Sequence, residues 1–254
     1  MNKEARQRLL GFHAVEAVLR RAPGQVHVLW IAEEARNARL KPLEDQARQS
    51  GIEVRHCARS ELDRLSGGER HQDLMAEFSP ANLFNERDLP KLLEGSKSPP
   101  FVLVLDSVQD PHNLGACLRS AEAAGVDFVV MPKDRAAPLT SVARRAASGA
   151  AEMIPILVAT NLARILRQLK EAGIWLAGTS DSAQQSIFEA DLVGPVGLVA
   201  GGEGQGMRRL TEEHCDYLVK IPMQGSVESL NVSVATAVCL FEIVRQRTVH
   251  SKSQ

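Results

Sequence analysis

A cluster of short polar side chains stands just before an apolar run near the carboxyl end of the chain. In the stretch IPMQGSVESLNVSVATAV, residues 232–238 are almost all small or apolar, and five polar residues precede them: Gln224, Ser226, Glu228, Ser229 and Asn231. Such a concentration of hydrogen-bonding groups is unusual where a helix is about to be buried. Composition alone does not assign these polar groups a role.

A second candidate segment is the glycine-rich turn LVAGGEGQGM. Its glycines stand at positions 201, 202, 204 and 206, which excludes the G-x-G-x-x-G dinucleotide fingerprint, and no P-loop pattern occurs in the chain. The turn follows an apolar strand, and α/β sheets bind ligands at the carboxyl ends of their parallel strands. Glu203, a charge among the glycines, favours a site over the alternative of a plain tight connection.

The segment NLGACLRSAEAAG predicts a helix that ends at Gly125 and offers two polar candidates. Asn113 precedes Leu114, so it could cap the helix or face a site. Arg119 lies among the apolar residues of the same segment and is either solvent-exposed or site-facing. His112 is left out of the chemistry, because a single histidine before a helix is more often structural or solvated.

Composition narrows the class of protein. The 254 residues are 44% hydrophobic and 24% charged, with a formal net charge of -1, so nucleic acid could bind only through a local basic patch. The four cysteines lack metal-binding spacing and are typical of reduced thiols, which predicts a cytoplasmic protein without a metal. Neither a signal-peptide pattern nor an apolar window of roughly 18 residues occurs, so no membrane association is expected.

Strand and helix patterns predict two α/β domains joined by a linker. Pro, Ser, Asn and Gly accumulate over residues 78–98, which predicts the linker, with a short helix possible at 89–93. Residues 1–77 alternate two helices with two strands. Residues 99–254 contain five apolar strand patterns separated by helices and glycine turns, which predicts a parallel sheet covered on both faces.

Three segments together resemble a known family. DPHNLGACLRSAEAAG, LVAGGEGQGMR and IPMQGSVESLNVSVATAV are similar, in order and spacing, to motifs 1, 2 and 3 of the SpoU (TrmH-type) branch of the SPOUT RNA methyltransferases. GFHAVEAVL and the pair His71-Gln72 resemble the small L30e-like RNA-binding domain of the same family. The likeness covers almost the whole chain and is closest to bacterial enzymes that methylate a guanosine 2'-hydroxyl of 23S rRNA.

The resemblance implies a fold and a methyl donor. The fold is a SPOUT-type α/β parallel sheet with a carboxyl-terminal trefoil knot, a rare exception to the rule against threaded chains, preceded by the L30e-like α/β domain. The donor is S-adenosylmethionine, and the protein is a homodimer whose active site both subunits complete. The family pattern assigns eight residues to the donor: Thr179, Ala200, Gly201, Gly204, Ile221, Met223, Ser229 and Leu230.

The resemblance also assigns five residues to catalysis: Asn113, Arg119, Glu203, Ser229 and Asn231. Methyl transfer to a ribose hydroxyl requires that its proton be drawn away. An arginine is a poor base because its guanidinium carries only donors and stays charged. We therefore expect Arg119 to bind the ribose-phosphate and stabilise the developing oxyanion, while phosphate, water or Glu203 takes the proton.

Other functions stay open at this stage. A catalytically silent RNA-binding protein is one alternative, a Rossmann-type oxidoreductase is a second, and methylation of another rRNA or tRNA nucleotide is a third. In the amino-terminal domain, scattered basic residues could form an RNA-binding face: Arg6, Arg8, Arg20, Arg21, Arg36, Arg39 and Lys41. Such contacts would position RNA without reading its sequence.

Overall fold

A computed structural model describes residues 7–79, 83–204 and 206–252. Its first part is a four-stranded sheet in the order β1-β4-β2-β3, in which β2 and β3 are parallel and the other pairs antiparallel. The strands are β1 (Gln7–Leu10), β2 (Val26–Ala32), β3 (Glu53–Cys57) and β4 (Leu74–Phe78). The helices are α1 (Phe12–Arg21), α2 (Leu40–Gln49) and α3 (Arg59–Ser66). Their buried apolar residues, among them Val15, Leu29 and Phe78, form a separate core.

The second part is an eight-stranded sheet in the order β10-β12-β9-β11-β6-β7-β8-β5, with every pair parallel. Its strands are β5 (Leu83–Asn85), β6 (Phe101–Asp106), β7 (Phe128–Pro132), β8 (Ile156–Ala159), β9 (Trp175–Thr179), β10 (Gln185–Ser186), β11 (Val196–Gly201) and β12 (Tyr217–Lys220). Its helices are α4 (Leu89–Glu94), α5 (Pro111–Ala124), α6 (Ser141–Ala147), α7 (Leu162–Glu171), α8 (Arg209–His214) and α9 (Val232–Lys252). The predicted α/β class with a parallel sheet is confirmed.

Both faces of the large sheet are covered, as its continuous apolar strands predict. Successive side chains of β6 point to opposite faces. Leu103 and Leu105 pack in the core shared with α5, α6 and α9, whereas Val102 and Val104 pack in the core shared with α4 and α7. The strand is therefore apolar throughout because neither of its faces meets water.

The segment predicted as a linker contributes to the large sheet. Residues 80–82 lie outside the described residues, but Leu83–Asn85 pairs in parallel with β8, and α4 buries Leu89 and Leu92. Sequence patterns missed several short elements, namely β1, β4, β8, β10, α3, α6 and α8, because strands and helices of two to eight residues show little periodicity. The trefoil knot implied by the family resemblance stays a prediction.

The strand order decides which loops meet. Strands β12, β9, β11 and β6 are consecutive neighbours and parallel, so their carboxyl ends share one edge of the sheet. The segments that follow them are those singled out in the sequence: the stretch after β12, the turn after β11, and the loop from β6 into α5. Among the described residues, no helix is long and apolar enough to cross a membrane.

Candidate active site

A cavity of about 390 Å³ opens at this edge of the sheet, between the loops that follow β9, β11 and β12. Seven of the eight residues assigned to the donor line it: Thr179, Gly201, Gly204, Ile221, Met223, Ser229 and Leu230. Ala200, the eighth, is buried inside β11 and does not line the wall. Three loops that are distant in sequence thus enclose one space.

In the glycine turn two backbone segments approach each other so closely that a side chain does not fit between them. A Cβ atom on Gly201 would lie 2.2 Å from the carbonyl carbon of Gly206 and from the amide nitrogen of Met207. The Gly202 N–H donates to the Gly206 carbonyl at 3.1 Å, which closes the turn. Gly204 and Gly206 have positive φ angles of 78° and 66°, which favour glycine. The turn therefore presents bare backbone to the cavity.

A buried carboxylate at the end of β6 anchors the far end of this turn. Asp106 is fully buried. Its Oδ2 accepts a hydrogen bond from the backbone N–H of Arg208 at 2.9 Å, and its Oδ1 accepts from the Arg208 Nε at 2.7 Å and the Ser107 hydroxyl at 3.1 Å. Sequence reasoning overlooked Asp106, although a charge that ends the otherwise apolar strand FVLVLD was a signal.

We expect Asp106→Ala to lower the free energy of unfolding by about 2–3 kcal/mol, the scale of hydrogen bonds to a charged group. The loss is smaller than for a fully buried ion pair because part of the Arg208 guanidinium reaches water. Thermal unfolding measures the effect, and Glu213→Ala is the control, since it breaks an exposed pair with Arg209. Equal Tm values for the two variants would contradict an anchoring role for Asp106.

A chain of hydrogen bonds joins three predicted catalytic residues beside the cavity. The Asn113 amide Nδ2 donates to Glu203 Oε1 at 2.7 Å, and the Asn231 Nδ2 donates to Asn113 Oδ1 at 3.0 Å. Asn231 Oδ1 accepts from the backbone N–H of Ser233 at 2.9 Å and from its hydroxyl at 2.6 Å. Residues from the three sequence motifs therefore form one polar network, and Ser233 is a member that sequence reasoning missed.

Glu203 is held as an anion in this network. Burial disfavours its charge, but hydrogen bonds donated by Asn113 and by backbone N–H groups, among them that of Gln109 at 3.2 Å from Oε2, outweigh that effect. The pKa of the Glu203 carboxyl therefore lies below its ordinary value. A carboxylate with both oxygens engaged and a low pKa is well suited to orient its neighbours and is a weak proton acceptor.

The expectation that Asn113 could cap α5 is wrong. Asp110 is the N-cap, and its side chain accepts from the backbone N–H of His112 at 2.8 Å, with Pro111 in the first helical position. Because Asp110 satisfies the helix end, the Asn113 side chain can turn to Glu203. The sequence contained a signal for this helix start, because Asp110 is as strong a capping residue as Asn113 and is followed by a proline, which is common at the first helical position.

Arg119 does not reach the network within its own chain. Its side chain is exposed, and its Nη1 donates to the Ser148 hydroxyl at 3.3 Å. No hydrogen bond recorded for the described residues joins it to Asn113, Glu203 or Asn231. Six residues separate it from Asn113 on α5, which corresponds to about 9 Å of axial rise and side-chain directions roughly 120° apart. Ser229, the fifth residue assigned to catalysis, lines the cavity wall.

Comparison with known proteins identifies the family. The model of the SpoU rRNA Methylase family matches residues 100–241, and the model for RNA 2'-O ribose methyltransferase substrate binding matches residues 8–84. The chain belongs to the SpoU rRNA methylase family. The first match contains the cavity and the polar network, and the second contains the four-stranded sheet except for its first residue, Gln7.

Relatives of this SpoU family member extend over nearly the whole chain. The 23S rRNA (guanosine-2'-O-)-methyltransferase RlmB of Pseudomonas putida is 51% identical over 96% of this chain and 98% of its own length. The protein of the same description from Escherichia coli is 49% identical over 94% of this chain and 98% of its own. Both domains are therefore shared with these relatives.

Solved structures agree with the SpoU assignment. The crystal structure of an RNA 2'-O ribose methyltransferase covers 97% of this chain and 91% of its own, with a TM-score of 0.77 and 28% identity. The SpoU methyltransferase AviRb from Streptomyces viridochromogenes, in complex with AdoMet, covers 96% and 91% with a TM-score of 0.77. Because the two sequences are only 23% identical, this likeness shows a shared fold and nothing more.

Proposed function

We propose that this protein transfers a methyl group from S-adenosylmethionine to the ribose 2'-hydroxyl of a guanosine in 23S rRNA. One observation carries the proposal. The cavity lined by the residues assigned to the donor directly adjoins the Glu203–Asn113–Asn231 network, and Glu203 belongs to both. Relatives that are about half identical over nearly their full length carry the 23S rRNA guanosine activity in their names.

The cavity fits the proposed donor in size and chemistry. Its volume of about 390 Å³ lies within the range of roughly 300–1,000 Å³ usual for ligand pockets. Ile221, Met223 and Leu230 supply apolar surface, the 201–204 backbone supplies hydrogen-bonding groups, and Thr179 and Ser229 supply hydroxyls. When bound, S-adenosylmethionine supplies an electrophilic methyl group. Within the described residues, no group of three or more His, Cys, Asp or Glu side chains could hold a metal ion.

The network positions the acceptor ribose. Each asparagine amide has two N–H bonds, and the network uses one from Asn113 and one from Asn231. One N–H of each amide is therefore available to hold the ribose near the methyl group, and such positioning accounts for a large part of the rate of a displacement. Glu203 anchors the Asn113 amide, which in turn accepts from Asn231, so water or an RNA phosphate takes the proton from the 2'-hydroxyl.

Arg119 stabilises the developing oxyanion, and it does so across a homodimer. The whole segment 222–231 is exposed, as are Val234 and Phe241 at 49% and 48%, which share one face of α9 seven residues apart. A partner that covers this apolar surface also buries the mouth of the cavity. Because Arg119 points away from the network of its own chain, we assign this role to the arginine of the other subunit.

Further parts of the proposal rest on the family resemblance. They are the carboxyl-terminal trefoil knot, the L30e-like character of the amino-terminal domain, and the domain bounds of 1–77 and 99–254 with a linker at 78–98. A cytoplasmic location and action on naked 23S rRNA or on an assembling large-subunit particle belong to the same proposal. The alternative of a silent RNA-binding protein is disfavoured because Asn113, Glu203 and Asn231 form an intact network.

Methylation of purified substrates tests the function. We expect the protein to transfer the methyl group of labelled S-adenosylmethionine to one guanosine 2'-hydroxyl of 23S rRNA, mapped by mass spectrometry. Naked rRNA and precursor particles are assayed side by side, because only the comparison reveals which of them is the substrate. Calorimetric titration with S-adenosylmethionine and with NAD separates a methyltransferase from an oxidoreductase. Binding of NAD alone, or donor binding without methylated rRNA, would reject the proposal.

A further inference from the structure

A second cavity, which we name the interdomain groove, lies between the two domains and has a volume of about 520 Å³. Four of its lining residues carry the argument, two from the small domain and two from α6 and the turn after it: Glu69, Arg70, Arg145 and Ser148. None of them lines the donor cavity, and none belongs to the basic face expected from the sequence.

The basic face expected from the sequence is partly neutralised. Arg6 lies outside the described residues. Lys41 forms an ion pair with Asp45 at 3.2 Å, Arg21 pairs with Glu122, and Arg39 stacks over the Phe12 ring, 4.0 Å from its centre. These contacts occupy three groups of the basic face, and the interdomain groove is a second candidate for an RNA contact.

Tight contacts hold the walls of the groove together. A Cβ atom on Gly149 would lie 2.3 Å from the Cβ of Ala17, so α1 packs directly on the turn after α6. The Glu69 carboxylate accepts from the Arg145 Nη1 at 2.7 Å and from the Ser141 hydroxyl at 2.8 Å, which ties the small domain to α6. The groove is thus a preformed feature of the two packed domains.

The groove carries a positive excess and leads to the catalytic arginine. Arg70 and Arg145 are both exposed, and Glu69 is the carboxylate among its lining residues. Glu69 engages one of the five N–H donors of Arg145, so most of that guanidinium is free to bind an anion. At one end of the groove the Ser148 hydroxyl accepts from Arg119 at 3.3 Å. Basic groups of both domains therefore line the groove, and Ser148 connects it to Arg119.

We propose that the interdomain groove binds the sugar-phosphate backbone of the substrate RNA next to the modified nucleotide. Arg70 and Arg145 contact phosphates, since guanidinium groups bind phosphate oxygens in a fixed, forked geometry. Phosphate contacts from both domains set the register of the strand relative to Arg119 without reading its sequence. This inference rests on the proposed function, because it takes the RNA to be the substrate of that reaction.

Charge reversal tests the groove. We expect Arg70→Glu and Arg145→Glu each to raise the KM for the rRNA substrate at least tenfold, with a smaller change in kcat. Each variant should also make the salt dependence of RNA binding shallower by about one unit of log Kd per log salt. The Kd for S-adenosylmethionine should stay within twofold. Arg48→Glu is the matched control, because Arg48 is an exposed arginine on α2 that also pairs with a glutamate, Glu44.

The possible results distinguish a failure of the groove proposal from a failure of the proposed function. If the wild-type protein methylates rRNA and both groove variants resemble the Arg48→Glu control in KM and RNA affinity, the groove proposal is overturned. If the wild-type protein binds rRNA without methylating it, the proposed function fails while the RNA affinities of the variants still test the groove.

A measurement on the wild-type protein tests the groove even if the variants do not fold. Ultraviolet crosslinking of the wild-type complex, followed by mass spectrometry, identifies the peptides that touch RNA. Crosslinks within 69–72 or 145–148 support the groove, and crosslinks confined to other segments reject it.

Discussion

Arg119→Ala lowers kcat for rRNA methylation by about 10²–10³-fold, the usual effect of removing one donor to a developing oxyanion. The affinity for S-adenosylmethionine stays unchanged, because the proposed role of Arg119 is to contact the acceptor ribose-phosphate and not the donor, and Arg119 does not line the donor cavity of its own chain. Single-turnover assays give the rate and calorimetry gives the donor Kd. Arg209→Ala is the control, because Arg209 is an exposed arginine on α8 that pairs with Glu213. A donor Kd that rises together with the loss of rate would contradict the assignment.

A lysine at the same position distinguishes oxyanion stabilisation from base catalysis. If Arg119 binds the ribose-phosphate through its forked guanidinium, Arg119→Lys loses most of the turnover, since an ammonium group acts as a point charge. If the residue instead acts as a base, the lower pKa of lysine allows full turnover with a pH optimum shifted to lower values. The pH–rate profile of the lysine variant therefore decides between the two roles.

Gly201→Ala weakens binding of S-adenosylmethionine. The added Cβ atom would lie 2.2 Å from backbone atoms on the opposite side of the glycine turn, so the turn must open and the cavity wall moves. Overpacking of this kind costs about 1–3 kcal/mol, which corresponds to roughly a five- to 150-fold rise in the donor Kd. Calorimetry measures the donor Kd of the variant. Gly194→Ala is the control, because nothing lies within 4 Å of a Cβ atom there. Equal donor affinities for the two variants would show that the turn is not a donor wall.

The variants Arg119→Ala and Gly201→Ala, mixed at a donor concentration too low to saturate the glycine variant, test whether the site is shared between subunits. A mixed dimer of Arg119→Ala and Gly201→Ala chains has one subunit with an intact cavity and another with an intact arginine. If Arg119 acts across the interface, random mixing restores about a quarter of the wild-type activity, because half of the dimers carry one competent site of two. If Arg119 instead acts within its own chain, mixing restores no activity. A monomer in sedimentation would likewise contradict a shared site.

Local sequence patterns predicted much of the secondary structure of this protein. The apolar strand FVLVLD, the helix NLARILRQLKEAG and the glycine turn all formed where their periodicity and turn chemistry indicated. Short elements such as ILVA in β8 escaped because four apolar residues do not distinguish a strand from a buried turn. Asp106 escaped because its partner, the Arg208 backbone, lies 102 residues further along the chain.

The sequence by itself determined the family, the residue types of the site and the places where only glycine fits, because these depend on local backbone geometry and on side-chain chemistry. The tertiary structure decided which of those residues meet. Asn113 contacts Glu203 and Asn231, which are 90 and 118 residues away, and turns its amide from the helix end to the network. The same packing turns Arg119 away from that network and forms the groove beside it. Such contacts depend on the order of parallel strands and on how closely the helices pack, and no local pattern encodes either.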